Sequence, residues 1–480
     1  MNLQTKPQAT SSGKLAPDLL QRFVAIVGEK YAITDPQIQN AYLVEMRDIW
    51  KGHTPLVLRP GSVAEVAKIV KLANETRTAI VPQGGNTGLV GGQIPHNGEV
   101  VLSLNRLDKV REVDPVSNTM TVEAGVTLQR AREAAAGADR LYPQLLPSEG
   151  TCTIGGNLST NAGGVAAIAH GIARSHALGL EVVLADGRLL DDLNKLKKNN
   201  TGYDLKNLFI GAEGTLGIIT AAVLRLVPRP RSVETAYAAV PSPQAAVDLL
   251  GIATEMTAGG VTSFELMGRP GIEAVVRLDA ASRDPLAAPH SWYALIELSS
   301  QARSGLRETM ENILAEGVEG GLVEDATIAE SLEQAKAFWR IRELFGEVQR
   351  QLGASIKHDV SVPVAAVPAF IAEANAAVVK LIPGSKPLPF GHVGDGNIHY
   401  NVTQPDGADR DKFLARWDEV NAVVFAVVKK FGGSISAEHG VGILKRTILP
   451  QYQDAVALDL MRAIKKTLDP NNILNPGKVL

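Results

Sequence analysis

Glycine is unevenly spread along this chain, and its clustering limits the backbone more than any other feature does. Three stretches carry runs of it: QGGNTGLVGG at 83–92, LPSEGTCTIGGNLSTNAGG at 146–164 and LFIGAEGTLGIIT at 208–220. Glycine lacks a Cβ, so such runs let backbone approach a ligand or another chain segment closely. One glycine loop alone reads equally well as a tight turn. Three in one region point to an extended ligand lying against main chain.

The first loop follows a short apolar strand, TAIVP at 78–82, but matches neither G-x-G-x-x-G nor a P-loop with G-K-[ST]. QIPHNGEVVLSL, which follows, reads as a turn and a strand, so no helix N-terminus is at hand for a pyrophosphate. The remaining way to hold an anion is a nest of backbone N–H groups from Gly84, Gly85, Asn86, Thr87 and Gly88, with Asn86 and Thr87 adding side-chain donors. In the second stretch Thr151, Thr153, Asn157, Ser159, Thr160 and Asn161 suit a buried polar ligand better than an apolar core.

A chain of 480 residues exceeds one core and implies two or three domains. A net charge of −3 argues against a general nucleic-acid binder, and LNKLKKNN at 193–200 reads as a solvated helix end. The single cysteine, Cys152, excludes an internal disulfide and fits a small buried or ligand-lining residue. No apolar run approaches a membrane span, and the N-terminus shows no apolar signal core, so a cytoplasmic protein is expected.

Ser62 and Glu65 form a capping box ahead of a helical stripe of Val66, Ile69, Val70 and Ala73. Strands are predicted at 100–104 and 119–125, a helix near 127–137, and a hairpin over 178–190 turning at Asp186-Gly187. After PRPRS at 228–232 strands alternate with helices, including a long one from about 329 to 352. This predicts an α+β domain with helices on one side of its sheet. The expected divisions are an N-terminal tail and helix (1–45), a ligand-holding domain (46–230), a second domain (231–435) and a C-terminal return (436–480).

GHVGDGNIHY at 391–400 holds two histidines seven residues apart, which a straight strand would point to opposite faces. A bend at Gly394, Asp395 and Gly396 lets the rings converge. Two histidines are one ligand short of a usual catalytic zinc set. The best candidates to complete it are Glu438 and His439, after the strand-like GGSIS.

These motifs together resemble the vanillyl-alcohol oxidase and p-cresol methylhydroxylase superfamily, in its FAD-linked D-2-hydroxyacid dehydrogenase branch. The resemblance covers roughly residues 40–480 and rests on the three glycine segments, GHVGDGNIH, AEHGVGILKR and LDPNNILNPGKVL. PQGGNTGLVGG, GGNLSTNAGG and NTGYDLKNLFIGAEGTLGIIT look closest to the D-2-hydroxyglutarate dehydrogenases, with D-lactate dehydrogenases next. It implies an α+β fold: a two-subdomain FAD-binding domain plus an α+β substrate cap with a mainly antiparallel sheet.

The resemblance further implies that Pro82, Gly84, Gly85, Asn86, Thr87, Gly88 and Gln93 hold the FAD pyrophosphate. Pro147, Gly150, Thr151, Thr153, Gly156, Asn157, Thr160 and Asn161 would line more of the cofactor, with Glu213, Gly214, Gly217, Ile219 and Asn475. No histidine lies at 82–92, so the FAD is expected to be non-covalent. His392, His399 and Glu438 are implied metal ligands, for Zn2+ by preference, with Mn2+, Co2+ or Fe2+ also suited to that donor set. Arg342, Lys357, Asn401 and His439 are implied substrate contacts, with His439 as the proton acceptor; Arg340 is the rival of Arg342. A 2-hydroxy acid substrate, an electron-transfer flavoprotein or quinone as electron acceptor, and a homodimer complete the expectation.

Overall fold

The structure, a computed structural model, describes residues 15–480. The polar tail expected at the N-terminus lies, over residues 1–14, outside the described residues. The chain divides into two compact units. One comprises Val165–His170 and Pro230–Ala437; the other comprises the described residues up to Gly164, with Gly171–Arg229 and Glu438–Leu480.

The second of these holds two separate sheets. In the four-stranded sheet the order is Ala32–Ile33, Val57–Leu58, Val100–Ser103, Ile80–Gln83, with the last three strands parallel. The predicted capping box starts the helix Val63–Thr76: Ser62 Oγ accepts from the Glu65 N–H at 3.2 Å, and Glu65 Oε2 accepts from the Gly61 N–H at 2.8 Å. Val66, Ile69, Val70 and Ala73 are fully buried and pack with Ile80, Val100 and Leu102. Burial of that stripe, not helix propensity, holds the helix to its sheet.

The five-stranded sheet runs Val110–Asp114, Thr119–Glu123, Ile218–Arg225, Ala177–Val183, Leu189–Asp192, antiparallel throughout. Its last hairpin turns where predicted, with Gly187 at φ +84° and the Leu184 N–H donating to the Arg188 carbonyl at 2.9 Å. LNKLKKNN is irregular instead of helical. Asn194 and Asn199 accept from the N–H groups two residues on, a turn geometry that competes with helix.

The first-named unit is built on one seven-stranded antiparallel sheet: Asp325–Ile328, Ser232–Val240, Trp292–Ser300, Val261–Gly268, Lys386–His392, Asn397–Thr403, Ser355–Ser361. Helices cover both faces, not one. Tyr237, Ala239, Met267, Tyr293 and Leu295 pack on the helices Arg269–Leu278 and Leu332–Val348. The alternate residues Ala236, Ala238, Leu266, Ala294 and Ile296 are equally buried, and the helices Pro243–Thr257 and Leu306–Glu319 pack on the same strands. Double coverage explains why these strands are continuously apolar, not alternating.

Against the expectation of no spanning segment, one helical stretch, Val364–Leu381, is long and apolar enough to cross a membrane by length and composition. Within this unit its helix Val367–Leu381 turns Val367, Phe370, Ile371, Ala374 and Val378 inward and packs on the helix Trp417–Lys430.

Candidate active site

The strands Lys386–His392 and Asn397–Thr403 form a hairpin in which Phe390 pairs with His399. Residues two apart share a sheet face, so His392, two beyond Phe390, points to the same face as His399. The turn is a short 3-10 segment, Val393–Asp395, closed by Gly396 at φ +80°. A Cβ on Gly396 would lie 2.0 Å from the Val362 carbonyl oxygen, so only glycine fits there. The two imidazoles meet edge to face with centroids 5.4 Å apart, and each offers a ring nitrogen within 4.8 Å of the other's.

His392 is buried, and its Nδ1 is hydrogen-bonded to Glu265 Oε1. Glu265 stands opposite His392 in the strand pairing and is fully buried. Its other oxygen accepts from Arg342 Nε at 2.5 Å. Burial alone would push the Glu265 carboxyl up, but the Arg342 guanidinium and His392 overcome it and hold the group at about 2. A carboxylate on Nδ1 directs the opposite nitrogen of the ring outward, the arrangement of metal-binding histidines. The residues present therefore fit a divalent cation.

Arg342 is the inward-facing arginine. It is 8% exposed, its Cζ lies 5.0 Å from the Phe390 ring centroid, and its terminal nitrogens have no hydrogen-bond partner among the described residues. Arg340 faces away, pairing with both oxygens of Asp279 at 2.7 and 2.8 Å. Lys357 pairs in register with Asn401 and donates to the Gly346 carbonyl at 3.2 Å. Asn401 itself donates to Gln349 Oε1 at 2.7 Å. His358, next to Lys357, points to the opposite face, bonded to the Tyr400 carbonyl and packed edge-on to Phe425.

Sequence reasoning missed Glu265 and Asp359. Asp359 pairs in register with His399, lies 3.9 Å from its Nδ1 and accepts from Asn397 Nδ2 at 2.9 Å. A signal existed for Glu265: one acid in the apolar strand VTSFELM is a buried charge that needs partners.

In the other unit the three glycine segments meet. Cβ atoms on Gly84 and Gly85 would lie 2.3 Å from Thr153 Oγ1 and 1.9 Å from the Thr151 carbonyl oxygen, and one on Gly214 would lie 2.5 Å from Pro82. None of the backbone N–H groups of Gly84, Gly85, Asn86, Thr87 and Gly88 donates to an acceptor among the described residues. Such a run of open donors fits an anion. The expected side-chain donor Asn86 is spent elsewhere, on the Ala41 and Val44 carbonyls at 3.1 and 2.9 Å. Gln93 likewise donates to Asn86 Oδ1 and the Gly88 carbonyl. Both amides brace the loop.

The second segment contains a helix, Ile154–Thr160, capped by Thr153 Oγ1 at 3.4 Å from the Gly156 nitrogen. Ser159 and Thr160 bond back to the Gly155 and Gly156 carbonyls, so they too serve the fold. Cys152 is buried, 3.6 Å from Asn157 Nδ2, and burial pushes its thiol up. In the third segment Glu213 accepts from the Val441 and Gly442 N–H groups at 2.7 and 2.9 Å. Burial raises its carboxyl to about 6, despite those bonds and the charges of Lys445 and Lys478. Asn475 ties the segments together, donating to the Gly92 and Glu213 carbonyls at 2.9 and 2.8 Å. Its Oδ1 is buried without a partner among the described residues, as an amide turned toward a bound polar group would be. Glu438 and His439 open the last stretch of this unit, with His439 Nε2 3.8 Å from Glu438 Oε1.

Comparison with known proteins places this architecture. Substrate-bound p-cresol methylhydroxylase superposes with a TM-score of 0.76 at 18% identity, covering 96% of each chain. An alkyldihydroxyacetonephosphate synthase gives 0.72 at 19% identity, covering 96% of this chain and 85% of that one. The fold is thus that of the p-cresol methylhydroxylase type of flavoenzyme, a two-subdomain FAD-binding domain with an α+β cap.

Residues 54–192 match the family described as FAD binding domain, and residues 229–479 match the C-terminal domain of FAD linked oxidases. A probable mitochondrial D-2-hydroxyglutarate dehydrogenase of Oryza sativa subsp. indica is 39% identical over 467 residues, 97% of this chain and 82% of the relative. A D-2-hydroxyglutarate dehydrogenase of Xanthomonas citri pv. viticola is 38% identical over 446 residues, 93% of each. A putative mitochondrial D-lactate dehydrogenase of Schizosaccharomyces pombe is 32% identical, over 97% of this chain and 90% of the relative. The chain belongs to the FAD-linked oxidases, in their D-2-hydroxyacid dehydrogenase branch, and is an FAD-dependent enzyme of that class.

Proposed function

We propose that this enzyme oxidises D-2-hydroxyglutarate to 2-oxoglutarate, using non-covalent FAD and a divalent cation, Zn2+ by preference, held by His392, His399 and Glu438. The observation that carries this reading is Arg342. A buried guanidinium with two unpartnered terminal nitrogens, beside a pair of convergent imidazoles, suits a substrate that brings a second carboxylate. Lys357 adds a cation on the adjoining strand. The names of the plant and bacterial relatives agree with that substrate.

Glu438 is delivered by chain connectivity. The Ala437 N–H donates to the carbonyl of Asp359, which pairs with His399, and Glu438 is the next residue. Its Cα therefore lies about 3.8 Å beyond Ala437. The open N–H groups of 84–88 and the unpartnered Asn475 Oδ1 support FAD in the other unit, and the absence of histidine at 82–92 supports a non-covalent cofactor.

Bound in place, the cation supplies Lewis acidity toward the C2 hydroxyl and the flavin supplies the hydride acceptor. Arg342 and Lys357 hold the substrate carboxylates and fix which face of C2 is presented. Asn401, held at one end by Gln349, hydrogen-bonds the substrate and limits its rotation. His439 takes the C2-hydroxyl proton on a ring nitrogen, so that loss of that proton and of the C2 hydride leaves the 2-oxo acid. With no nicotinamide fingerprint in the chain, the electrons pass on to an electron-transfer flavoprotein or a quinone.

Stopped-flow flavin reduction with D- and L-2-hydroxyglutarate and D-lactate tests this reading. Fast reduction by D-2-hydroxyglutarate, abolished by chelation, is expected. A higher kcat/KM for D-lactate would overturn the substrate assignment, and chelator-resistant turnover would overturn the metal.

A further inference from the structure

Glu265 hydrogen-bonds to both halves of the proposed site, His392 and Arg342. We infer that it is a positioning residue whose single buried carboxylate sets the tautomer of His392 and the orientation of Arg342 together, coupling metal affinity to recognition of the substrate carboxylate. This inference rests on the proposed metal site and deepens it.

Three observations carry it. Glu265 is fully buried in the strand Val261–Gly268, where its neighbours Phe264, Leu266 and Met267 are apolar and no water-facing role is open to it. One oxygen accepts from His392 Nδ1, which leaves Nε2 as the lone-pair nitrogen and fixes the ring plane. The other oxygen accepts from Arg342 Nε, which pins the guanidinium and leaves its two terminal nitrogens, donors suited to a carboxylate, unbonded to Glu265. A group that only neutralised a buried arginine would not need to stand in register with a histidine, yet Glu265 and His392 are direct cross-strand partners.

Both links require an acceptor, and a carboxylate offers two. A glutamine of the same shape offers one acceptor and one donor. Its NH2 must face either Arg342 Nε–H, donor against donor, or His392 Nδ1, which then becomes an acceptor and moves the proton to the metal-facing nitrogen. Glu265→Gln therefore separates shape from hydrogen-bond polarity.

The test uses the FAD-loaded, Zn2+-loaded enzyme. The zinc dissociation constant is read by competition with a chromogenic chelator, and KM and kcat are measured with D-2-hydroxyglutarate at saturating zinc. Glu265→Gln is expected to weaken zinc 10- to 100-fold and to raise KM with bound flavin unchanged. Arg342→Gln should raise KM without moving zinc affinity, and the double variant should raise KM no further than Arg342→Gln alone. If Glu265→Gln does not fold, Glu265→Asp keeps the charge but is too short to bridge both partners, and zinc must still weaken. Zinc affinity within twofold of wild type in the Glu265 variants would overturn the inference. A wild-type enzyme whose zinc is unaffected by His392→Ala would instead overturn the metal site on which it rests.

Discussion

Gly85→Ala separates a glycine that permits a turn from one that permits a cofactor. Its Cβ would lie 1.9 Å from the Thr151 carbonyl oxygen and 2.7 Å from the carbonyl carbon. A close carbon-oxygen contact is about 3.3 Å, so one segment must retreat by about 1.4 Å. Both atoms belong to main chain, and no rotamer can relieve the clash. The open N–H groups of 84–88 would move with it, and losing two charge-assisted bonds at about 1.5 kcal/mol each removes about 3 kcal/mol. That is roughly a 150-fold rise in the FAD dissociation constant. The assay is reconstitution of deflavinated protein followed by flavin fluorescence, with thermal unfolding as a check on folding. Gly202→Ala is not a clean control, because Gly202 has φ +91°; Gly137→Ala is, since no atom lies within 4 Å and the glycine ends a helix. Gly137→Ala should be neutral or stabilising by about 0.5–1 kcal/mol. An unchanged FAD affinity in folded Gly85→Ala would refute the cradle.

The two arginines should part company. Arg340→Ala, losing an exposed pair worth at most about 1 kcal/mol, should leave KM unchanged, whereas Arg342→Lys should raise KM for D-2-hydroxyglutarate at least tenfold because lysine has no planar fork to pin on Glu265. Glu438→Ala should purify with flavin but less than a tenth of the wild-type zinc, measured by atomic emission. Glu213 supplies a pH signature: its folded value of about 6 exceeds the ordinary 4.5, so the folded state binds more protons between those values and stability falls as pH rises through that window. The shift, 6 minus 4.5, corresponds to about 2 kcal/mol; Glu213→Gln should flatten the slope between pH 4.5 and 6 in urea unfolding of the flavin-free protein, and an unaltered slope would count against the burial argument.

What could be read from the chain depends on the range over which each signal acts. The capping box at Ser62 and Glu65 and the hairpin at Asp186-Gly187 were legible because their partners lie within four residues. The glycine loops were legible because the need for glycine is absolute where a Cβ would strike main chain. The helix Ile154–Thr160 was not, since IGGNLST has poor helix formers; it persists because Thr153 caps it and Gly155 sits where a Cβ would be 2.6 Å from Ala124. Asn86 and Gln93 were legible as loop residues, but their carbonyl partners at Ala41, Val44 and Gly88 were not, because these depend on how the loop folds back. Helices on both sheet faces were missed for the same reason: coverage is a property of the assembled unit.

The histidine pair shows how a local rule inverts once the chain reverses. Seven residues is an odd spacing, which on a straight strand puts His392 and His399 on opposite faces. In the register of this antiparallel hairpin directly paired residues are an odd number apart, as Phe390 and His399 are, and they share a face. The odd gap that argues against a shared ligand on one strand brings the two rings to one face in this register. Gly396 makes the difference, because its left-handed backbone closes the turn where any side chain would meet the Val362 carbonyl. Glu265 reaches His392 from 127 residues away and Arg342 from 77. No spacing rule spans such distances, so the carboxylate that unites the site was visible only as an acid misplaced in an apolar strand.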